Sequence, residues 1–445
     1  MFRNTVFRRI LILMFWFVMW QILAMVVDNP ILMVTPQVVM GRFWELLGQV
    51  VFWQTLGSSL LRISVGFVSG LLTAALLAGI SSRYSVAEQV LQPFMNLLKT
   101  IPVASFVVLL LIWWGSSMLA VAISFLVVLP NIYINVLEGI KAADQRLLEM
   151  AKVFHMPVKN RFLYIYRPAF RPFLESGMKI SLGMCWKSGV AAEVIGMPEY
   201  SIGGQIYLSK IYIDTAGVLA WTAAVVLLSL CFEKLALWLT NIFFEWNPSV
   251  GRNGKGRKYI TAESCLDTNR HGNPRPVILK HVDKAYGETR VLRDVSVTYE
   301  KGGTYYLTSP SGSGKTTLLR LLCGLERPDG GRIQGEKSSS MVFQEDRLCE
   351  DYTALQNVMM VTGEYACAVQ ALERLLDGEA LKKPCRQLSG GMKRRVALVR
   401  AMEAASEMVL LDEPFTGMDA HTRQQAEAYI KERQNGRTVI IATHI

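Results

Sequence analysis

Charged residues are scarce before about residue 137 of this 445-residue sequence, and residues 100–137 contain none. Residues 10–27 and 63–80 are two further runs without a charge. Apolar runs of this length are long enough to cross a bilayer as helices. The scarcity argues against a fully soluble protein and indicates a membrane-embedded first half. Charged residues are frequent after about residue 250, so we predict a separate soluble second half.

Other absences narrow the class of protein. The seven cysteines contain no Cys-x-x-Cys pair, which indicates neither a metal site nor a disulfide framework and fits a reducing cytoplasm. The net charge of +11 is not accompanied by an RNA-binding aromatic motif. Basic residues that flank apolar runs are typical of the cytoplasmic loops of membrane proteins. We therefore expect membrane lipid, and no nucleic acid, as a partner.

The apolar runs predict six membrane-spanning helices, at 10–27, 63–80, twice within 100–137, at about 173–195 and at 215–232. The sequence Trp-Trp-Gly-Ser-Ser at 113–117 is interpreted as the turn between the third and fourth spans. The loop at 138–171 is rich in lysine and arginine, and such loops stay in the cytoplasm. We therefore predict a multi-pass protein of the cytoplasmic (inner) membrane with both termini in the cytoplasm.

The predicted fifth span contains Lys179, Lys187 and Glu193. Ionisable groups are costly at membrane depth and usually face a protein interior or a wet cavity. One interpretation places Lys179 and Glu193 near the membrane interfaces. Lys187 lies deeper, where it either pairs with Glu193 or attracts an anionic solute.

A phosphate-binding loop is the clearest local motif. It lies between a strand-like run at 304–307 and a helix-like run at 318–322. Small residues let backbone N–H groups turn toward phosphate oxygens, and the positive end of the following helix points at them. Lys315 is predicted to reach the β- and γ-phosphates and Thr316 to hold Mg²⁺. Ser309 stands where the usual pattern has glycine. The predicted nucleotide contacts are Ser309, Pro310, Ser311, Gly312, Ser313, Gly314, Lys315, Thr316 and Thr317.

The loop before the fifth span resembles the coupling motif of binding-protein-dependent ABC importers. Glu149, Ala151, Ile165 and Pro168 stand at matching positions. In that family the loop inserts into a groove on the ATPase. Four further segments are similar to permeases of the nitrate, sulfonate and taurine class, which also includes transporters of thiamine precursors: Thr35-Pro36, Ile101-Pro102, Trp113-Trp114-Gly115 and 192–196.

The second half is similar to an ABC ATPase, which implies ATP and Mg²⁺ as ligands. Leu-Ser-Gly-Gly-Met at 388–392 resembles the signature loop, so Ser389, Gly390 and Gly391 are expected to close on the nucleotide held by a second copy. The resemblance implies that Tyr286 stacks on adenine and that Gln344 contacts Mg²⁺ and the attacking water.

The run at 408–414 is typical of a buried parallel strand that ends in two carboxylates. Asp412 suits Mg²⁺ coordination through water, and Glu413 suits the general base that polarises the attacking water. Gly417-Met418-Asp419 resembles the dimer-contact loop that follows. His444 matches the histidine that senses the γ-phosphate in this family.

These patterns predict an all-α six-span permease domain at 1–246, a flexible linker at 247–275 and an α/β P-loop NTPase cassette at 276–445. We expect a homodimeric half-transporter that imports a small solute delivered by an extracytoplasmic solute-binding protein. The alternatives are an ABC exporter and a regulatory ABC protein with weak ATPase activity. Family cassettes usually continue past the position of Ile445, so either the sequence is a fragment or this cassette lacks its last elements.

Overall fold

The computed structural model describes residues 2–245, 276–310, 312–335, 338–363 and 365–443. These residues form two compact units. We call residues 2–142 and 170–245 the helical unit, and residues 143–169 and 276–443 the sheet unit. The predicted linker, Ser311 and His444 lie outside the described residues.

The helical unit is built from long apolar helices. Its helices are α1 (Phe2–Val27), α2 (Pro36–Leu47), α3 (Val50–Arg83), α4 (Ser85–Thr100), α5 (Val103–Lys141), α8 (Arg167–Gly196, whose first turn belongs to the sheet unit), α9 (Ile202–Ile211) and α10 (Thr215–Glu245). The prediction of an all-helical first half is confirmed.

Four of the described helices are long and apolar enough to cross a membrane: α1 from Ile10 to Val27, α3, α5 and α10. The predicted third and fourth spans both fall within α5, which is broken at Gly115, where φ is 73° and ψ is 178°. This break coincides with the predicted turn at 113–117. The predicted fifth span lies in α8. This helix contains several charged residues and is not among the four helices that are apolar enough to cross a membrane. Six crossings therefore stay a prediction.

Small residues allow α3 and α5 to pack closely. A Cβ atom on Gly66 would lie 2.5 Å from the Val121 carbonyl oxygen and 2.6 Å from the Ser124 Cβ. One turn later, a Cβ on Gly70 would lie 3.0 Å from the Val128 Cβ. Glycines spaced by four residues bring helix backbones together in membranes, where van der Waals packing drives association.

Glu193 is fully buried, and its contacts lie within the helical unit. Its Oε2 accepts hydrogen bonds from the Ser59 hydroxyl at 2.8 Å and the Gly203 amide at 3.2 Å. Its Oε1 lies 3.6 Å from an Arg62 guanidinium nitrogen. The structure thus contradicts a Lys187–Glu193 pair, because Arg62 from α3 supplies the positive charge near Glu193. The position of Glu193 relative to the membrane interfaces stays a prediction.

The sheet unit contains two sheets. The strands are β1 (Val277–Tyr286), β2 (Thr289–Tyr299), β3 (Thr304–Leu307), β4 (Gly330–Gln334), β5 (Ser339–Val342), β6 (Met408–Asp412) and β7 (Thr438–Ala442). An antiparallel sheet has the order β2-β1-β4, and a parallel sheet has the order β3-β7-β6-β5. The last three strands of the parallel sheet are buried throughout, as expected for strands covered on both faces.

Short helices connect and cover these strands. They are α6 (Gln145–Val153), α7 (Val158–Arg161), α11 (Lys315–Leu322), α12 (Ala354–Thr362), α13 (Tyr365–Glu373), α14 (Gly390–Glu403) and α15 (Ala420–Arg433), with a π-helical turn at Phe162–Tyr166. Met150, Ala151 and Ile165 are buried in the same apolar cluster as strand residues such as Leu410. The predicted coupling segment is therefore packed into the core of the sheet unit.

The cysteines within the described part of the chain mostly carry free thiols, as at Cys185, Cys349 and Cys385, which are buried. Burial raises the pKa of the Cys349 thiol to about 12, so this thiol stays protonated and acts as a packing group. Cys367 is disulfide-bonded, which the cysteine spacing did not indicate.

Candidate functional site

The carboxyl ends of the four parallel strands meet at one edge of the sheet, and the predicted site residues follow those ends. The Ser309–Thr317 loop follows β3, and Gln344 follows β5. Asp412 ends β6 and Glu413 comes directly after it. Ligands of open parallel sheets bind at this edge, because the connections there expose loop backbone and helix N-termini. The topology therefore brings these groups from distant parts of the chain to one place.

Two glycines shape the loop after β3. Gly312 has φ of 79° and Gly314 has φ of 90°, a region that other residues rarely adopt. A Cβ on Gly314 would also lie 2.8 Å from a Val291 side-chain carbon. Ser309 is not among the described residues with positive φ, so the loop backbone does not require glycine there.

Lys315 begins α11, and its ammonium group turns back over the loop. It donates hydrogen bonds to the carbonyl oxygens of Ser309 and of Pro310, the latter at 3.1 Å. The loop thereby carries a positive charge next to the N-terminus of α11. Both features favour an anion.

Thr316 and Asp412 form the candidate metal site. The Thr316 hydroxyl donates to the Asp412 carboxylate at 2.8 Å. Burial raises the pKa of Asp412, while the hydrogen bond from Thr316 opposes this shift. A hydroxyl beside a buried carboxylate is an oxygen donor set that suits Mg²⁺.

Gln344 shares a cavity with these two residues. The cavity has a volume of about 290 Å³ and is also lined by Arg320 and Arg347. Gln344 itself is exposed, at the bend after β5. The structure thus brings together Thr316, Gln344 and Asp412, the three residues predicted to hold Mg²⁺.

Glu413 has an unusual backbone conformation. Its φ is 48°, in the left-handed region that costs a residue with a side chain about 1–3 kcal/mol. Its amide donates to the Ala442 carbonyl oxygen at 2.9 Å, and its carboxylate accepts from the Thr416 hydroxyl at 3.4 Å. This conformation turns the chain sharply at the end of β6.

Tyr286 ends β1 and is 47% exposed. Its hydroxyl donates to Glu326, and the Lys284 ammonium lies 5.6 Å from the ring centroid. An exposed aromatic face at this position is available for stacking against a planar base.

Ser389 is the N-cap of α14, and its hydroxyl accepts a hydrogen bond from the Met392 amide at 3.3 Å. A Cβ on Gly391 would lie 2.7 Å from the Gly417 carbonyl oxygen, so this close approach requires glycine. Ser389 and Gly390 are exposed. Among the described residues, no hydrogen bond joins them to the Ser309–Thr317 loop.

Glu149 of the predicted coupling motif makes two ion pairs within the sheet unit. Its carboxylate accepts from Arg320 at 3.1 and 3.2 Å and from Arg347 at 2.7 Å. Burial opposes ionisation of Glu149, but the hydrogen bonds from both guanidinium groups outweigh it and lower the pKa. Arg320 lies on α11, five residues after Lys315. The sequence contained no signal for these two arginines, because their partner is more than 170 residues away.

Comparison with known proteins agrees with this architecture. Residues 66–241 match the family described as "Binding-protein-dependent transport system inner membrane component", and residues 292–416 match the family described as "ABC transporter".

Named relatives match the second half of the chain. The aliphatic sulfonates import ATP-binding protein SsuB 3 of Rhodococcus jostii is 38% identical over 183 residues, which cover 39% of this chain and 68% of that protein. The Fe(3+) ions import ATP-binding protein FbpC 1 of Rhizobium meliloti is 35% identical, covering 38% of this chain and 54% of that protein. The probable sulfate/thiosulfate import ATP-binding protein CysA of Chlorella vulgaris is 32% identical, covering 38% of this chain and 80% of that protein.

The first family match covers much of the helical unit together with the coupling segment at 143–169, and the second lies within the sheet unit. The sequence similarity to SsuB 3 extends over about two thirds of that protein's length. The chain belongs to the ABC transporters, and it contains an inner-membrane permease component and an ATP-hydrolysing ABC cassette in one polypeptide.

Proposed function

We propose that this protein is a permease–ATPase half-transporter that imports a small solute across the cytoplasmic membrane at the expense of ATP. The observation that supports this most directly is the cavity lined by Thr316, Gln344 and Asp412, whose wall also includes Arg146 of the coupling segment. The residues proposed to bind the nucleotide and the metal are therefore adjacent to the segment that continues, in both directions, into long apolar helices.

In the proposed ATP site, the Ser309–Thr317 loop and Lys315 bind the phosphates, and Tyr286 stacks on the base. Mg²⁺ would be held by Thr316, Gln344 and Asp412, directly or through water, and when bound it neutralises phosphate charge. Glu413 accepts a proton from the attacking water. His444 is proposed to sense the γ-phosphate.

Each ATP site is proposed to be shared between two copies of the chain. Ser389 and Gly390 are exposed and Gly391 is half-buried at the N-terminus of α14, which is suited to bind an anion presented by another molecule. We therefore propose a homodimer in which each copy completes the other's site.

The division into a permease domain at 1–246, a linker at 247–275 and a cassette at 276–445 is also a proposal, as are six crossings with both termini in the cytoplasm. Basic residues in the loop at 138–171 support this orientation. A tethered cassette would meet its permease at a high effective concentration.

Import is supported by the relatives, which are named as import proteins. Delivery by a separate solute-binding protein is supported by the family match at 66–241, whose description is binding-protein-dependent. Their names mention aliphatic sulfonates, Fe³⁺ and sulfate or thiosulfate, so similarity alone does not select the solute.

Reconstitution of the full chain in proteoliposomes tests this proposal. We expect the cognate binding protein, loaded with solute, to stimulate ATP hydrolysis and to drive solute accumulation on the cassette side. Stimulation by hydrophobic compounds alone, with movement away from the cassette side, would instead establish export. No ATP hydrolysis under any condition would favour the regulatory alternative.

Lys187 is the proposed solute contact. It lines a cavity of about 400 Å³ in the helical unit, together with Trp186, Thr222, Ser229 and Glu233. A lysine ammonium in the wall of a cavity can bind an anionic group, and ionisable residues within membrane helices usually have functional roles.

Replacing Lys187 with alanine is expected to lower the apparent affinity for solute by about tenfold or more, since a charge-assisted hydrogen bond contributes roughly 1.5–3 kcal/mol. Uptake measured against solute concentration provides the readout. Lys179→Ala is the matched control, because Lys179 is also exposed and lies about two turns away on the same helix. Equal effects of the two substitutions would argue against a solute contact.

A further inference from the structure

Arg394 is a buried cation that has no role in the ATP site proposed above. It lies on α14, one turn after Gly391, and only 3% of its surface is exposed. Every hydrogen bond it donates is directed at one of two segments, the bend after β5 or the end of β6.

Toward the bend after β5, Arg394 contacts three acceptors. One guanidinium nitrogen donates to the Phe343 carbonyl oxygen at 2.5 Å, the Gln344 carbonyl oxygen at 3.3 Å and the Asp346 carboxylate at 3.1 Å. The carbonyl groups of Phe343 and Gln344 are therefore both hydrogen-bonded to a residue of α14.

Toward the end of β6, Arg394 contacts the backbone of Asp412, a candidate metal ligand, and of Glu413, the candidate general base. Its second terminal nitrogen donates to the carbonyl oxygens of Asp412 and, at 2.8 Å, of Glu413. Its Nε also donates to the Glu413 carbonyl oxygen, at 3.1 Å. The left-handed backbone of Glu413, at φ of 48°, is thus held by Arg394 on its carbonyl and by Ala442 on its amide.

These contacts require the shape of arginine. A guanidinium group presents five N–H donors in a rigid planar fork, whereas a lysine ammonium has three donors around one point. Lysine would keep the charge but could not reach both segments at once. A strained backbone persists only where several contacts determine it together.

The geometry points to Arg394 as a positioning residue that holds Glu413 in its strained conformation and links it to Gln344 and to the start of α14. This inference rests on the proposed function, in which Ser389 and the following glycines meet the nucleotide of a second copy. When α14 of one copy docks on the nucleotide held by the second copy, Arg394 would then orient Glu413, the general base of its own copy's ATP site. The two sites would be coupled through a side chain that need not touch nucleotide.

Arg394→Lys and Arg394→Gln in the full chain test this role. We expect faster amide hydrogen exchange in the segment from Glu413 to Met418 of the nucleotide-free protein, since its anchoring bonds are lost. We also expect kcat for ATP to fall by about 10²-fold, the effect of a small misplacement of a catalytic group, with ATP affinity changed by less than about threefold.

Arg437→Lys is the matched control. Arg437 is 1% exposed, and its guanidinium donates to carbonyl oxygens far from the site, including those of Met402 and Ala404. This variant should show a comparable loss of thermal stability and an unchanged kcat. Equal losses of kcat in the Arg394 and Arg437 variants, or unchanged exchange at Glu413 in both Arg394 variants, would overturn the inference.

The exchange measurement also separates this inference from the proposed function. If the parent protein does not hydrolyse ATP, the proposed function fails, but altered exchange confined to the Glu413 segment still supports positioning by Arg394.

Discussion

Replacing Glu413 with glutamine is expected to abolish ATP hydrolysis and to leave ATP binding intact. Glutamine has the shape of glutamate but no basic oxygen, so it cannot accept a proton from the attacking water. Loss of a general base typically lowers rates by about 10²–10⁴-fold. The phosphate-binding loop and the Thr316–Asp412 pair are separate from this side chain, so binding of nucleotide and Mg²⁺ should persist.

Two measurements check this prediction. Phosphate release in lipid measures turnover, and a fluorescent ATP analogue measures affinity. Glu432→Gln is a suitable control, because Glu432 pairs with Arg374 at an exposed site and such pairs contribute little. Hydrolysis at the parental rate by the Glu413→Gln protein would show that another group is the base.

Replacing Glu149 with alanine is expected to uncouple hydrolysis from transport. The substitution removes the carboxylate that pairs with both Arg320 and Arg347, while leaving the residues proposed to bind ATP and Mg²⁺ unchanged. Charged hydrogen bonds contribute roughly 1.5–3 kcal/mol each, although the partial exposure of Glu149 reduces this value. We expect solute import to fall at least about tenfold, with basal ATP hydrolysis within about twofold of the parent protein.

A neighbouring residue on α6 provides the matched control. Arg146 pairs with Glu345 at 3.0 Å, but both side chains are more than half exposed, at 63% and 54%. Arg146→Ala should therefore affect import far less than Glu149→Ala does. Parallel loss of hydrolysis and import in the Glu149 variant would show a structural defect instead of uncoupling.

The ion pairs of Glu149 also predict a pH dependence. The pKa of Glu149 is lower in the folded protein, so its ionised form stabilises this packing at pH values above the ordinary carboxyl pKa. The stabilisation is lost as the pH falls through the lowered value. Thermal unfolding followed across this pH range should show a smaller acid-induced loss of stability in the Glu149→Gln variant than in the parent protein.

Motifs that are contiguous in the chain were predictable from sequence. The Ser309–Thr317 loop, the strand that ends in Asp412 and the signature segment each carry their chemistry within a few residues. Their order along the chain was enough to predict an ABC cassette, and the uncharged runs were enough to predict a helical membrane half.

Contacts between distant segments were not predictable. The sequence showed that Glu149 belonged to a motif but not that Arg320 and Arg347 bind it. It placed Lys187 and Glu193 on one span and left their pairing open, whereas Arg62 of α3 faces Glu193. Arg394 was one of several basic residues after the signature segment, with no feature to distinguish it.

The class of the protein and the local chemistry of its phosphate loop follow from the order of residues alone, because glycine, lysine and carboxylate positions act over one turn or one strand end. The pairing of charges and the anchoring of backbone groups follow from the folded chain. Those choices depend on strand order and helix packing, which bring residues more than 100 positions apart within hydrogen-bonding distance.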